Sequence, residues 1–380
     1  MNFEPNETQQ AVRATARAFA RDRIEPVAAA LAREHRFPAD LVRESASLGL
    51  LGVNIAEEYG GAAVGPVALA LAIHEIARVD AAFCVTVAVT NMVAEVIAAF
   101  GTAAQKRKYL PCITGGEALC AAFALSEAES ASDAGALRTV AERRGDRWVL
   151  TGEKQWISHG NHAGVIVVWA RTRAQTHDAS GVSAFLVEGG MPGLTVGRIE
   201  DKMGLNASPT VALQLEGCEV PADALLGEEG GGFKLAMMAL DGGRINIAAQ
   251  ATGVGRAAMH ASARYAKDRQ AFGKPLFEQQ AIQWFLADMR TQLEAAELLM
   301  LRAAWLKEQN KPFGQAAAMA KLYAIEAANR ICDKAVEIHG GNGNVGGLPV
   351  ERWFRDARVQ TIYEGTSEIQ RTVIARQLLA

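Results

Sequence analysis

Gly341-Asn342-Gly343-Asn344-Val345-Gly346 fits the G-x-G-x-x-G spacing of a dinucleotide-binding turn, and its context decides which fold the chain adopts. A doubly wound nucleotide fold needs a strand before that turn and a helix after it, so that a pyrophosphate meets the helix N-terminus. Upstream, residues 329–339 instead repeat apolar positions at helical spacing. The segment therefore reads as a glycine-rich turn between helices. It can bring backbone N–H groups close to a phosphate without founding a Rossmann domain.

Outward from this turn, helical texture covers about 233–268, 275–309, 313–338 and 350–379, with Gly or Pro at the breaks. Long helices joined by short turns predict a four-helix bundle. Ahead of Gly230-Gly231-Gly232 the texture changes to short β-branched runs bounded by turns, among them Trp148-Val149-Leu150, Val165-Ile166-Val167-Val168-Trp169 and Val211-Ala212-Leu213-Gln214-Leu215. Residues 6–119 return to helical spacing. The expected architecture is α+β and multidomain: an N-terminal helical domain over 1–119, a middle β-barrel-like domain over 120–227 and a C-terminal four-helix bundle over 228–380.

Composition narrows the function. Among 380 residues, 39 Lys+Arg against 42 Asp+Glu give a net charge of −3 with the signs interspersed, so no basic stripe for nucleic acid is present. Cys84, Cys112, Cys120, Cys218 and Cys332 are scattered and form no C-x-x-C pair, which predicts free thiols in a reducing compartment. The polar, acidic start shows no presequence pattern, and a cytoplasmic protein is expected. The most apolar stretch, 81–100, carries Asn91 and Glu95 and reads as a buried helix rather than a membrane insertion. His159 and His162 lack the further ligands a zinc ion needs, so the reading there is a solvated loop and no metal site. Neither G-x-S-x-G nor G-x-x-x-x-G-K-[ST] occurs, which leaves serine-hydrolase and P-loop chemistry without a motif.

Glu364 is the most telling acid. It follows Ile362-Tyr363 and precedes Gly365-Thr366-Ser367-Glu368-Ile369-Gln370, where Ser367 and Gln370 fit a capping box. The carboxylate is thus expected just outside a helix N-terminus, among apolar neighbours that raise its pKa into the range of a general base.

Several motifs stand in one register. They include Gly101-Thr102 with Tyr109-Leu110-Pro111; Phe123-Ala124-Leu125-Ser126-Glu127 leading to Ser132-Asp133; Gly152-Glu153-Lys154 with Trp156-Ile157-Ser158; and Leu240-Asp241 with Arg244. Asp268-Arg269 with Phe272-Gly273-Lys274-Pro275-Leu276, then Gly340-Gly341-Asn342-Gly343, and Ile362 through Arg371 complete the set. In their order and spacing the chain resembles the acyl-CoA dehydrogenase family over about residues 3–380, most of all its short-chain and branched-chain subgroup.

The resemblance implies a three-domain fold, usually homotetrameric, with FAD held in the cleft between the β domain and the bundle. It implies that Phe123, Leu125, Ser126, Trp156, Ile157 and Ser158 line the flavin ring, and that Ser132 stands near both the FAD pyrophosphate and CoA. Arg269, Phe272, Gln280, Glu337, Gly340 and Gly341 are implied contacts to the FAD of a neighbouring subunit. Thr366, Ser367 and Glu368 add dinucleotide contacts, while Asp241, Arg244 and Gly365 meet the substrate. Glu364 matches the family's catalytic base; the alternative base position falls on Gly243, which carries no acid. The reaction so implied takes the α-proton of an acyl-CoA onto Glu364 and passes a β-hydride to flavin N5, leaving a trans-2-enoyl thioester. Electron-transfer flavoprotein is the implied acceptor.

The chain departs from the family pattern in one loop and at two single positions. Ala128-Glu129-Ser130-Ala131 replaces a Pro-Gly-x-Gly run, Glu337 replaces a Gln and His159 an Asn. These changes keep open an acyl group on a carrier other than CoA. A flavin monooxygenase on the same fold and a non-catalytic binding protein are the remaining alternatives; the Tyr363-Glu364-Gly365-Thr366 motif weighs against both.

Overall fold

The computed structural model describes residues 4–173 and 178–379. The outermost residues of the expected domains, 1–3 and 380, lie outside the described residues, as do 174–177. The N-terminal part is built from α1 (Glu7–Phe19), α2 (Glu25–Glu34), α3 (Ala39–Ser47), α4 (Pro66–Ala77), α5 (Ala81–Phe100) and α6 (Ala103–Thr114). Short polar side chains start α1, α6 and α5: Asn6 and Gln9 form a reciprocal box, as do Thr102 and Gln105, and Asp80 accepts from the Phe83 N–H at 2.7 Å. Helix α5 is long and apolar enough to cross a membrane, yet 78% of its most apolar window is buried, against α4, α6, α7 and β1. A helix apolar on all sides belongs in such a core.

The middle part is one mixed sheet of β1 (Ala121–Ala124), β2 (Val140–Arg144), β3 (Arg147–Ser158), β4 (Val165–Arg171), β5 (Val182–Glu188), β6 (Leu194–Ile199), β7 (Thr210–Pro221) and β8 (Leu225–Leu226). The spatial order is β6-β7-β3-β2-β4-β5-β8, with β1 lying parallel beside β4. Strand β4 explains the continuous apolar run in the sequence, because both of its faces are covered. Ile166 and Val168 join Trp148 and Phe185 in the domain's own core, whereas Val165, Val167 and Trp169 pack into the helical core. Trp169 Nε1 donates to the Gly232 carbonyl at 2.7 Å and ties the sheet to the bundle.

The bundle comprises α7 (Gly232–Asp268), α8 (Gln280–Glu308), α9 (Gly314–His339), a single turn α10 (Gly341–Asn344), α11 (Val350–Arg358) and α12 (Ser367–Leu379). A hairpin of β9 (Gln270–Ala271) and β10 (Lys274–Pro275) joins α7 to α8. The glycine turn follows a helix, and Gly340 at φ +57 ends α9. Two expectations need correction. The second bundle helix starts at Gln280 instead of 275, because Pro275 sits in the hairpin and Leu276–Glu278 forms a tight turn. The single helix expected over 350–379 is two helices, since Glu364 and Gly365, at φ +51 and +88, cannot continue a right-handed helix.

Candidate active site

The three parts enclose one cleft of about 1170 Å³, large enough for more than a drug-sized ligand. Each part supplies a wall for a local reason. From α5, Val85, Val89 and Met92 recur at positions 85, 89 and 92 on a single helix face, and Val87 and Ala94 turn away from the cleft. From the sheet, Phe123 and Leu125 leave β1 with Ser126. Strand β3 adds Trp156 and Ser158. The register of β3 against β7 slips between Lys154 and Ile157, and Trp156 sits in the slip at φ +59. This bulge aims the indole into the cleft, where it stays 48% exposed.

Glu364 closes the far wall. Its φ of +51 is unusual for a residue with a side chain. One carboxylate oxygen, Oε2, is buried and has no hydrogen-bond partner. Burial pushes its pKa up to about 7, against the opposing pull of Lys321 and Arg244. Gly243 of α7 faces this carboxylate so closely that a Cβ there would collide with Oε2 and stand 2.9 Å from Met92 Sδ. Arg244, next along α7 and only 5% exposed, bonds Asp241 through Nη1. The Tyr363 hydroxyl donates to Gln250 Oε1 and anchors the loop on α7. At the start of α12 the capping differs from expectation: Thr366 Oγ1, instead of Ser367, accepts from the Ile369 N–H at 3.3 Å. The Gln370 amide turns back to donate to the Gly365 carbonyl at 2.8 Å.

Phe123, Leu125, Ser126, Ser132, Trp156, Ser158, Arg244, Glu364, Gly365 and Thr366 all line the cleft. Ile157 does not: its side chain is 1% exposed in the sheet core, because alternation points it away from Trp156. Asp241 lines a separate, smaller recess, Ser367 is buried and Glu368 faces solvent. Arg269, Phe272, Gln280, Glu337, Gly340 and Gly341 lie outside the cleft and are exposed. They share the end of the bundle where α7 meets the hairpin, and Asn342 beside them donates to the Tyr265 hydroxyl at 2.9 Å.

His159 corrects the solvated-loop reading. It is fully buried, and its Nε2 lies 3.0 Å from Thr86 Oγ1 and 2.8 Å from Ser208 Oγ. Burial lowers its pKa to about 3, so the ring is neutral and works as a pin between α5 and the sheet. Among the described residues no cluster of His, Cys, Asp or Glu could hold a metal ion. The altered loop needs no glycine, since no residue from 128 to 136 has a positive φ. Glu127 and Ser130 close it with paired backbone hydrogen bonds, and the exposed Glu129 forms an ion pair with Arg138.

Sequence reasoning missed Lys202, Arg355, Arg358 and Arg376, which bring cations to the cleft wall. With the N-terminus of α12 they favour an anionic tail, while Phe123, Leu125 and Trp156 offer apolar area to a ring. The unbonded Glu364 Oε2 and Arg244 Nε await polar partners in the same space. Such walls suit FAD.

Three family models match in sequence order. The acyl-CoA dehydrogenase N-terminal domain covers residues 6–117, the middle domain 122–218 and the C-terminal domain 230–379. The chain is 48% identical over 379 residues to the mitochondrial short-chain specific acyl-CoA dehydrogenase of Bos taurus, covering 100% of this chain and 92% of that one. Among solved structures, the butyryl-CoA dehydrogenase of Megasphaera elsdenii superposes with a TM-score of 0.98 at 39% identity, with both chains covered in full. A chain from a structure described as the electron transferring flavoprotein of Acidaminococcus fermentans gives 0.98 at 41%, again over both full lengths. With every domain matched in order and a relative near half identical from end to end, the chain belongs to the acyl-CoA dehydrogenase family.

Proposed function

We propose that the protein dehydrogenates short acyl-CoA thioesters between Cα and Cβ, with FAD as cofactor. The observation that carries this reading is Glu364 on the cleft wall, whose carboxylate has one buried, unbonded oxygen packed against Gly243 of α7. The carboxylate takes the α-proton, which the thioester carbonyl acidifies. The Glu364 N–H donates to no group among the described residues, so it is available to the thioester oxygen as negative charge develops there. When bound, FAD supplies the two-electron acceptor for the β-hydride. Phe123, Leu125, Ser126, Trp156 and Ser158 would hold its ring, and Thr366 with the wall cations its phosphates.

Val85, Val89 and Met92 of α5 line the cleft and offer an apolar wall to the acyl chain, and the preference for a short chain follows the likeness to the bovine and Megasphaera relatives. By the same likeness the electron acceptor is an electron-transfer flavoprotein. The exposed Arg269, Gln280 and Glu337 fit a homotetramer in which they reach the FAD of a neighbour, and the protein works in the cytoplasm. Anaerobic titration of the FAD-loaded protein with four-, six-, eight- and sixteen-carbon and branched acyl-CoAs tests the reading. Bleaching of the flavin by the short members is expected. Bound flavin that none of them bleaches would overturn it.

A further inference from the structure

Lys321, which the sequence reading passed over, sits on α9 and is fully buried. Its Nζ donates to three consecutive carbonyls: Tyr363 at 2.6 Å, Glu364 at 3.1 Å and Gly365 at 2.5 Å. An ammonium has three N–H groups, so all are used on the loop backbone and none is left for the Glu364 carboxylate. Consecutive carbonyls converge on one point only if the chain between them turns sharply, and Glu364 and Gly365 supply that turn with their positive φ values. Across a planar trans peptide, C=O and N–H point in opposite directions. Holding the Tyr363 oxygen toward α9 therefore aims the Glu364 N–H away from it, and that N–H donates to no group among the described residues.

We infer that Lys321 is the positioning residue of the catalytic loop: it clamps the Tyr363, Glu364 and Gly365 carbonyls, and so orients both the carboxylate and the backbone N–H of Glu364. The inference rests on the function proposed above. Two cations face Glu364, Lys321 from α9 and Arg244 from α7. Neighbouring α5 presents Met92, and α12 presents the neutral Gln370 to the loop. Removing the Lys321 charge leaves Arg244 alone to favour the carboxylate, so the Glu364 pKa rises further.

The test compares Lys321→Met and the milder Lys321→Gln with the unaltered holoenzyme, following flavin bleaching by a four-carbon acyl-CoA across pH. Both variants are expected to bind FAD and to keep substrate affinity within a few-fold. The saturating rate should fall by roughly a hundredfold in Lys321→Met, the scale of a small misplacement of reacting groups, and by less in Lys321→Gln. In both, the pH at which the rate is half-maximal moves upward. A slower rate with an unmoved pH midpoint would overturn the inference, because a merely structural lysine changes rate without changing that titration. Failure of both variants to fold would overturn it too, since a residue on which the fold depends does more than position a loop. If the unaltered holoenzyme is not bleached by any acyl-CoA, the proposed function has failed instead.

Discussion

Glu364 joins two features that each carry a cost, a left-handed backbone and a carboxylate out of water. Both serve a base that must take a weakly acidic proton near neutral pH. Because burial raises its pKa to about 7, the carboxyl keeps its proton below that value and cannot act. The rate of flavin bleaching at low substrate should thus rise with pH and level off above about 7, falling roughly tenfold per unit on the acid side. A flat profile across that range in stopped-flow measurements would contradict the assignment. Glu364 was legible in the sequence because an aromatic, an acid, a glycine and a capping hydroxyl stand together. Lys321 was not, although a signal existed: it falls on the buried stripe of α9 with Ala317, Ala320, Ala324 and Ala328, where a charge demands partners. His159 escaped for the opposite reason, since a polar loop sequence does not disclose that α5 and the sheet close over it.

At the level of elements, periodicity located the helices and strands but not their interruptions. The runs of β4 and β7 and the apolar length of α5 followed from residue type. The bulge that turns Trp156 into the cleft did not, because it depends on pairing with β7 across more than fifty residues of chain. Likewise the break between α11 and α12 is imposed by the loop that α9 clamps, not by a proline or glycine run. Helix α5 carries its own prediction. Met92, 3% exposed, ends the cleft-facing series that starts at Val85, and its sulfur packs beside Gly243. Met92→Ala should shift the preferred acyl chain to greater length, as read by bleaching with the acyl-CoA series, at a stability cost of about 2 kcal/mol. An unchanged chain-length optimum would show that α5 does not set the depth of the acyl site.

At the level of the molecule, the sequence pattern of helices, then strands, then helices specified the layers, and packing among them creates a cleft that no single domain contains. The outer face of the bundle remains unexplained by one chain. Trp284, Leu298 and Trp305 on α8 are 60%, 40% and 44% exposed and recur at multiples of seven, which places them along one side of the helix. Such a stripe suits burial against further copies. Light scattering of the purified protein should give about four times the 40.5 kDa chain mass, and Trp284→Glu should lower it; a monomer would contradict the proposed homotetramer. The proposed chemistry turns on Glu364 removing the substrate proton in this cleft. Its most direct test is anaerobic rapid mixing of FAD-loaded Glu364→Gln with a four-carbon acyl-CoA. Retained flavin and a bleaching rate lower by at least roughly a hundredfold are expected, whereas near-normal bleaching would mean that another group takes the proton.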